Sequence, residues 1–406
     1  MSARHVALLC VFLIASMASG ALELTWSALP PLPPAPGQDG QPGVAGPFAG
    51  VHNGALIVAG GANFPAGPPW EGGKKVWWDD VYVLERARDG AYVWRTHAGF
   101  KLPRPLAYGV SVSTTEGVVC LGGCDAEQCY RDVFLLKWNP VTKCVATERL
   151  PGMPHKLAFG SGALVGQTVY VTGGQVITRR SLATNHFWAL DLSKRDAAAF
   201  RWERLPGWPG PPRVLPVAVA QRHGSGECLF LFSGRDAAPE RPSRFLTDAY
   251  RFVPGSLEWK PVASIEAPGE GVRAVAAAGA AAVGKDHIVL IGGDDGERFL
   301  RRERLERAIK EAKDPSQADA LRKELAGEFE KHPGFKAEIL SYNTRTDTWA
   351  VAGQFPTTSH VTTAAVEWQG GVVIVSGEIR PGVRTPKIWL GTWSEDDAGE
   401  SPAADE

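Results

Sequence analysis

Apolar runs along this chain alternate with charged and glycine-rich stretches in an order that repeats. Six times a run of strand length closes on a small residue followed by glycine: LIVAGG, VCLGG, VYVTGG, LFLFSG, IVLIGG and VVIVSG, ending at Gly61, Gly123, Gly174, Gly234, Gly293 and Gly377. A second run rich in β-branched and aromatic residues follows each pair: DDVYVLE, RDVFLLKW, NHFWALDL, TDAYRF, AEILSYN and PKIWLG. Beyond it a tryptophan marks a third run at Trp94, Trp202, Trp259 and Trp349, with Cys144-Val145 in that place in the second repeat. Upstream of the pairs lie small-residue runs such as RPLAYGVSV, HKLAFGSGAL and RAVAAAGAAAV, which suit a strand packed close to an axis. Short apolar runs bounded by glycine and enriched in β-branched and aromatic residues predict strands, here four to a unit.

A four-stranded unit repeated in this order resembles the kelch-type propeller blade. The fold expected is therefore all-β, a six-bladed kelch-type β-propeller over residues 21–396. A β-sandwich would alternate without the fixed order of glycine pair, aromatic strand and tryptophan. The sixth unit has no tryptophan strand after PKIWLGTW, while the N-terminal LELTWSALPPLPP, with Trp26, has one to spare. The strand Leu22 to Ala28 is thus expected to complete the last blade and close the ring, removing an open edge. One segment breaks the strand pattern: RRERLERAIKEAKD followed by SQADALRKELAGEFEKH, residues 301–335, has helix-forming composition with i,i+4 charge pairs. It predicts a helical insertion in the fifth blade, either an exposed ornament or a lid.

The N-terminus MSARHVALLCVFLIASMASGA carries Arg4 and His5, a short apolar run and small residues, the pattern of a signal peptide over residues 1–20. That implies a periplasmic or secreted protein with no membrane contact after cleavage. A formal net charge of -1 on 406 residues gives no bias toward nucleic acid. Of the six cysteines Cys10 lies in the leader, and an oxidising compartment makes Cys124 and Cys129, in GGCDAEQCY, the expected disulfide. The pairing of Cys120, Cys144 and Cys228 stays open, as does the oligomeric state. No Cys/His spacing suits a metal, and none is expected as a cofactor. Residues 397–406 read as a disordered tail.

In an up-and-down blade the start of the innermost strand and the end of the second share one end of the sheet, because the two strands are antiparallel. Aligned on the glycine pairs, Arg104, His155, Arg213, Arg273 and His360 occupy the entry to the innermost strand in five of the six units. A ring of such side chains around a propeller mouth is an anion-binding funnel. The residues after the glycine pairs open on the same face: Ala62, Cys124, Gln175, Arg235, Asp294 and Glu378, with Asn63 at the start of a long first-blade loop. In VSGEIRPGVRT the Pro381-Gly382 turn folds the chain back and aims Arg384 into the same cleft as Glu378.

GEIRPGVRT, the six units, the leader and the insertion after the fifth glycine pair together resemble the bacterial N-acetylneuraminate epimerases, or sialic acid mutarotases, in the branch with circularly permuted repeats. The resemblance implies an isomerase that interconverts the α and β anomers of N-acetylneuraminate, or a related sugar acid, by acid–base ring opening. It implies Glu378 as proton acceptor and Arg384 as its partner, with no cofactor. The ring Arg104, Arg213 and Arg273 would hold the substrate carboxylate, His155 or His360 would relay a second proton, and Asn63 would join the binding set. Ile379 and Arg380 vary the interior of the motif. A non-catalytic propeller binding a glycan or protein is the alternative. A sialidase would need S-x-D-x-G-x-T-W boxes, which are absent, and a copper radical oxidase a Tyr/Cys/His copper set for which no pattern exists.

Overall fold

The computed structural model of the chain describes residues 22–177 and 181–394. The leader, the C-terminal tail and the signal-peptide cleavage site lie outside those residues.

Six antiparallel sheets stand around one axis, five of four strands and the third with a short fifth strand, Ser181–Ala183, added at its mouth end. Blade 1 sets the pattern, running from the axis outward as Phe48–His52, Ala55–Ala59, Val81–Arg86 and Tyr92–Arg95. The innermost strands of neighbouring blades touch in sequence all the way round, from Phe48–His52 through Ala364–Trp368 and back. Their small residues permit this approach, and the second strands Ala55–Ala59, Gly117–Leu121 and Gly371–Val375 are buried along their whole length. Apolar clusters lie between blades: Leu56, Val58 and Leu84 of blade 1 pack with Val373, Val375 and Ile388 of blade 6. The outer tryptophans tie adjacent blades, Trp94, Trp202, Trp259 and Trp349 each donating its indole N–H to a main-chain carbonyl, those of Pro30, Pro151, Pro206 and Ala263.

The ring closes as the spare tryptophan strand predicts. Thr25–Leu29 pairs antiparallel with Ile388–Thr392, Trp26 opposite Gly391, in the sheet that also holds Gly371–Val375 and Ala364–Trp368. The strand begins and ends slightly later than Leu22 to Ala28, because Leu22 and Leu24 bury instead against blade 5, in the cluster of Ile291, Ile339 and Phe355.

A second device organises the mouth. The residue that leads each innermost strand has left-handed φ: Gly46, Tyr108, Phe159, Leu215, Ala277 and Thr362, between 47° and 64°. Their amides and carbonyls form a closed circuit, Gly46 donating to Thr362, Tyr108 to Gly46, Phe159 to Tyr108, Leu215 to Phe159, Ala277 to Leu215 and Thr362 to Ala277, at 2.6 to 3.1 Å. Non-glycine residues resist this conformation by about 1 kcal/mol or more each, so the circuit offsets a strain repeated around the axis.

The insertion forms two helices, α1 (Glu297–Glu311) and α2 (Pro315–Glu330). They are not a solvated ornament. Phe299 of α1 packs on Phe245 of a blade 4 hairpin with ring centres 5.4 Å apart, and Glu303 accepts from the Ser243 amide at 2.9 Å. On the other side Phe329 of α2 stacks on Trp70 of the first-blade loop at 5.5 Å, and Arg380 of the sixth-blade hairpin donates to the Glu330 carbonyl at 3.2 Å. The helices thus bridge blades 4, 6 and 1 on the mouth face.

The expected Cys124–Cys129 disulfide is corrected. All five cysteines among the described residues are thiols. Cys124 and Cys129 face each other across an isolated β-bridge, and their hydrogen bond, with burial behind it, pushes the Cys124 thiol far above its ordinary range.

Candidate active site at the propeller mouth

Glu378 and Arg384 meet because the chain reverses between them. Glu378–Arg380 pairs with Val383–Arg384, placing Glu378 directly opposite Arg384, and opposed residues of an antiparallel pair project to one face. Gly382 makes the turn with φ of 80°, and a Cβ there would meet Pro69 and Trp70 at 2.7 to 2.9 Å. Glycine is therefore required both for conformation and for the close approach of the first-blade loop.

The carboxylate of Glu378 is held by one oxygen. Its Oε1 accepts from the Gly382 amide at 2.7 Å and from Arg384 Nη1 at 3.0 Å. Among the described residues Oε2 accepts no hydrogen bond. Arg384 is almost wholly buried, stacked over the Phe64 ring at 4.9 Å, and its Nε has no partner among the described residues. Phe64 also faces Lys75, whose ammonium sits over the rings of Trp77 and Tyr108 at 5.6 and 5.3 Å. Beside this hairpin lies a cavity of about 350 Å³, walled by Asn63, Phe64, Trp70, Glu330, Arg380 and Arg384, a size within the range of small-molecule sites. A larger cavity of about 780 Å³ fills the far part of the central channel. It is lined mainly by small and aliphatic residues of the innermost strands and does not include Glu378.

Charge continues from Glu378 toward blade 5 and blade 4. Arg302 of α1 lies in the field of Asp294 and then of Glu378, and burial lowers its affinity for its proton. Asp294, the residue after the fifth glycine pair, is pushed up by burial against the pull of Arg302 and Arg235. Arg235, the residue after the fourth pair, stacks on Phe299 at 4.2 Å. His332, just past α2, is held near 4 by burial and by Arg302, Arg298 and Arg380, so it is neutral at neutral pH. Among the described residues no group of three His, Cys, Asp or Glu is placed to hold a metal ion.

The expected ring of five cations does not form. Counted from the left-handed residue that opens each innermost strand, Arg213 and His360 stand two positions before it, whereas Arg104, His155 and Arg273 stand four before it. The two-before slot is an interior one, occupied elsewhere by buried Val44, Leu106, Leu157 and Val275. Arg213 is fully buried, with a bidentate bond to Asp248 at 2.7 and 3.0 Å and a third to the Ser233 carbonyl. His360 is 1% exposed and bonds the Ser376 carbonyl through Nδ1 at 2.7 Å. Arg273 is paired with Glu338 at 2.7 Å and Glu270 at 3.0 Å. Arg104 lies over Tyr130 and reaches Asp132 at 3.2 Å, and His155 is exposed, stacked on His186. Asn63 lines the cavity wall, but its side chain is spent on the Gly43 carbonyl and the Trp78 indole, both at 2.9 Å. Asn63 and Arg384 line one cavity, and Glu378 is tied to its wall through Gly382 and Arg384; the five ring residues do not line it. Arg302 escaped the sequence reading because RRERLERAIKE has the look of a solvated helix, while Arg235 and Asp294 were marked by their place after a glycine pair.

Burial of His360 has a measurable consequence. Its proton affinity is lowered, to about 4 from 6.5, chiefly by desolvation. The folded state therefore holds a neutral imidazole, and its contribution is fully present above pH 6.5. As pH falls from 6.5 to 4 the unfolded chain takes up the proton first, and on the order of 3 kcal/mol is lost. His360→Asn, which keeps a donor for the Ser376 carbonyl, is expected to show a smaller drop in melting temperature between pH 7 and 4 than the parent. Parallel curves for the two proteins would contradict this.

A six-bladed propeller with a carboxylate–guanidinium pair on a hairpin at its mouth is the class this fold and site define. The sequence pattern of the family described as NANM: N-acetylneuraminate epimerase matches residues 13–143 and 150–401, and the chain belongs to that family. It is 28% identical over 247 residues to the N-acetylneuraminate epimerase of Haemophilus influenzae (strain 86-028NP), covering 60% of this chain and 59% of the relative. It is 40% identical over 252 residues to that of Salmonella typhi, covering 61% and 59%. The aligned region thus spans about three fifths of the length of these curated relatives. The solved structure of YjhT superposes with a TM-score of 0.56 over 89% of this chain and 96% of that one, at 15% identity, which supports the fold.

Proposed function

We propose that this protein is a mutarotase that interconverts the α and β anomers of N-acetylneuraminate or a closely related sugar acid. The observation that carries the reading is the Glu378 carboxylate, anchored through Oε1 by Gly382 and Arg384 while Oε2 accepts no hydrogen bond among the described residues. Such a carboxylate is oriented with its second oxygen available to act as a base. Oε2 takes the proton of the anomeric hydroxyl as the C2–O6 bond breaks, and the ring oxygen takes one from water. The open 2-keto acid turns its C2 face by rotation about C2–C3, the O6 hydroxyl adds back to C2 and returns its proton to the hydroxide left from water, and Glu378 returns its proton to the new anomeric oxygen. Arg384 holds the base in place and cannot itself serve as the acid, because a guanidinium does not lose its proton. His155 and His360 have no part in this scheme, since His155 is exposed and stacked on His186 and His360 is buried with its Nδ1 on the Ser376 carbonyl.

The relatives' name supports the substrate class, and the leader pattern supports action outside the cytoplasm. The test is proton NMR of freshly released α-N-acetylneuraminate with and without the purified protein. Equilibration of the two anomers faster than the spontaneous rate is expected. A rate equal to the uncatalysed one, with binding intact, would instead identify a non-catalytic sugar-binding propeller.

A further inference from the structure

We propose that the carboxylate of the sugar acid is clamped beneath the helical insertion by Arg302 of α1 and Arg235 of blade 4, opposite the Glu378–Arg384 pair. This rests on the mutarotase reading for the identity of the ligand, but the observations are independent of it. Arg302 is 6% exposed, and among the described residues its Nη1 and the Nε of Arg235 are both buried without a hydrogen-bond partner. Among the described residues neither guanidinium makes an ion pair within 4.0 Å, although salt bridges abound elsewhere on the helices, such as Arg301 with Glu328 at 3.1 Å. Both are instead pinned by rings, Arg235 over Phe299 at 4.2 Å and Arg302 beside Phe299 and Phe329 at 5.8 and 5.3 Å.

A buried unpaired guanidinium is strongly disfavoured unless something completes its bonding. The acidic group shared by the two arginines does not suffice. Asp294 stands in the field of both arginines but spends Oδ1 on the Gly296 amide at 2.9 Å. Arg235 lies in the field of Glu303 and Asp294, and Arg302 in that of Asp294, Glu378, Glu306 and Glu328, yet among the described residues none of these carboxylates bonds either guanidinium. The two guanidiniums thus form an anion site. A carboxylate suits it because a planar guanidinium offers paired N–H donors that match two oxygens, and the surrounding rings exclude water that would weaken the bond. The arrangement also gives the insertion a function: α1 supplies one arm of the clamp, so the substrate carboxylate is recognised only while the helices bridge the blades. Asp294 keeps the two guanidiniums from repelling each other before the ligand arrives.

The test uses the full chain carrying Arg302→Met or Arg235→Gln, which retain much of the packing, with calorimetric titration of N-acetylneuraminate and of its uncharged methyl ester, and NMR anomer exchange on both. The acid is expected to bind about 10- to 100-fold more weakly in either variant, the loss typical of a charge-assisted hydrogen bond, while the ester hardly changes. The wild-type preference for acid over ester should therefore collapse. A variant with unchanged melting temperature that keeps the wild-type preference overturns the clamp, as does equal weakening of acid and ester. Should the wild type equilibrate anomers but treat acid and ester alike, the catalytic reading stands and the clamp fails. Should it bind the acid selectively through both arginines yet leave the anomer ratio untouched, the clamp stands and the catalytic reading fails. Binding of neither ligand by the wild type sinks both.

Discussion

Replacing Glu378 with Gln is expected to slow enzyme-driven anomer exchange by about 10² or more while leaving sugar binding largely intact. Glutamine keeps a carbonyl oxygen to accept from the Gly382 amide at 2.7 Å and from Arg384 at 3.0 Å, so the hairpin that presents residue 378 should survive. What disappears is the open carboxylate oxygen and with it the group that takes the anomeric proton. The competing view makes Glu378 a counter-ion for the buried Arg384, whose side chain is 3% exposed. On that view the variant loses stability, since a buried arginine is left with a neutral partner, and turnover per folded molecule is unchanged. Exchange rate and thermal melting measured on the same preparation separate the two, and full activity in a well-folded E378Q protein would falsify the mechanism. Arg384→Lys makes a useful companion: charge survives but the fork that rests over Phe64 at 4.9 Å is lost, so weaker positioning of Glu378 should appear as reduced kcat.

The parts of this site that were legible in the sequence are local. Glu378 and Arg384 are six residues apart around a Pro-Gly turn, and the register of so short a hairpin follows from the turn alone. The blades were legible because every unit repeats the same order of small-Gly pair, aromatic run and tryptophan. The cationic funnel was not, and the reason is a step of two residues. A side chain two positions before the left-handed residue points into the seam between blades, and only the backbone circuit at the mouth reveals which residue is the left-handed one. Arg213 and His360 therefore fell into a slot built for Val44 and Leu106 and had to be satisfied by Asp248 and the Ser376 carbonyl. The burial of Arg302 was invisible for another reason. It depends on Phe245, Trp70 and Asp294, distant positions that make a charged helix face into an interior one.

Deleting residues 22–30 is expected to abolish the cooperative melting of the whole propeller, although the segment supplies no residue of the active site. Its five-residue strand is the outer edge of blade 6, paired from Thr25 opposite Thr392 to Leu29 opposite Ile388. Its apolar side chains serve both neighbours: Leu29 packs with Val375 and Leu390 at the seam with blade 1, and Leu22 and Leu24 pack with Ile339 and Phe355 at the seam with blade 5. Trp26 adds an edge-to-face contact with Phe355 at 4.8 Å. Burying a leucine contributes about 1.5 to 3 kcal/mol, so three of them approach the 5 to 15 kcal/mol that typically separates folded from unfolded chains. Removal also exposes the Ile388–Thr392 edge to pairing with another chain, which should appear as aggregation. Because a truncated protein can fail for reasons of expression, the point variant Leu29→Asp is the sharper probe, with exposed Ser27→Asp as its control. Leu29→Asp should lower the melting temperature by several degrees or more and Ser27→Asp should not. A truncated chain that melts at the parental temperature would mean the other strands of blade 6 hold the ring closed without their N-terminal partner.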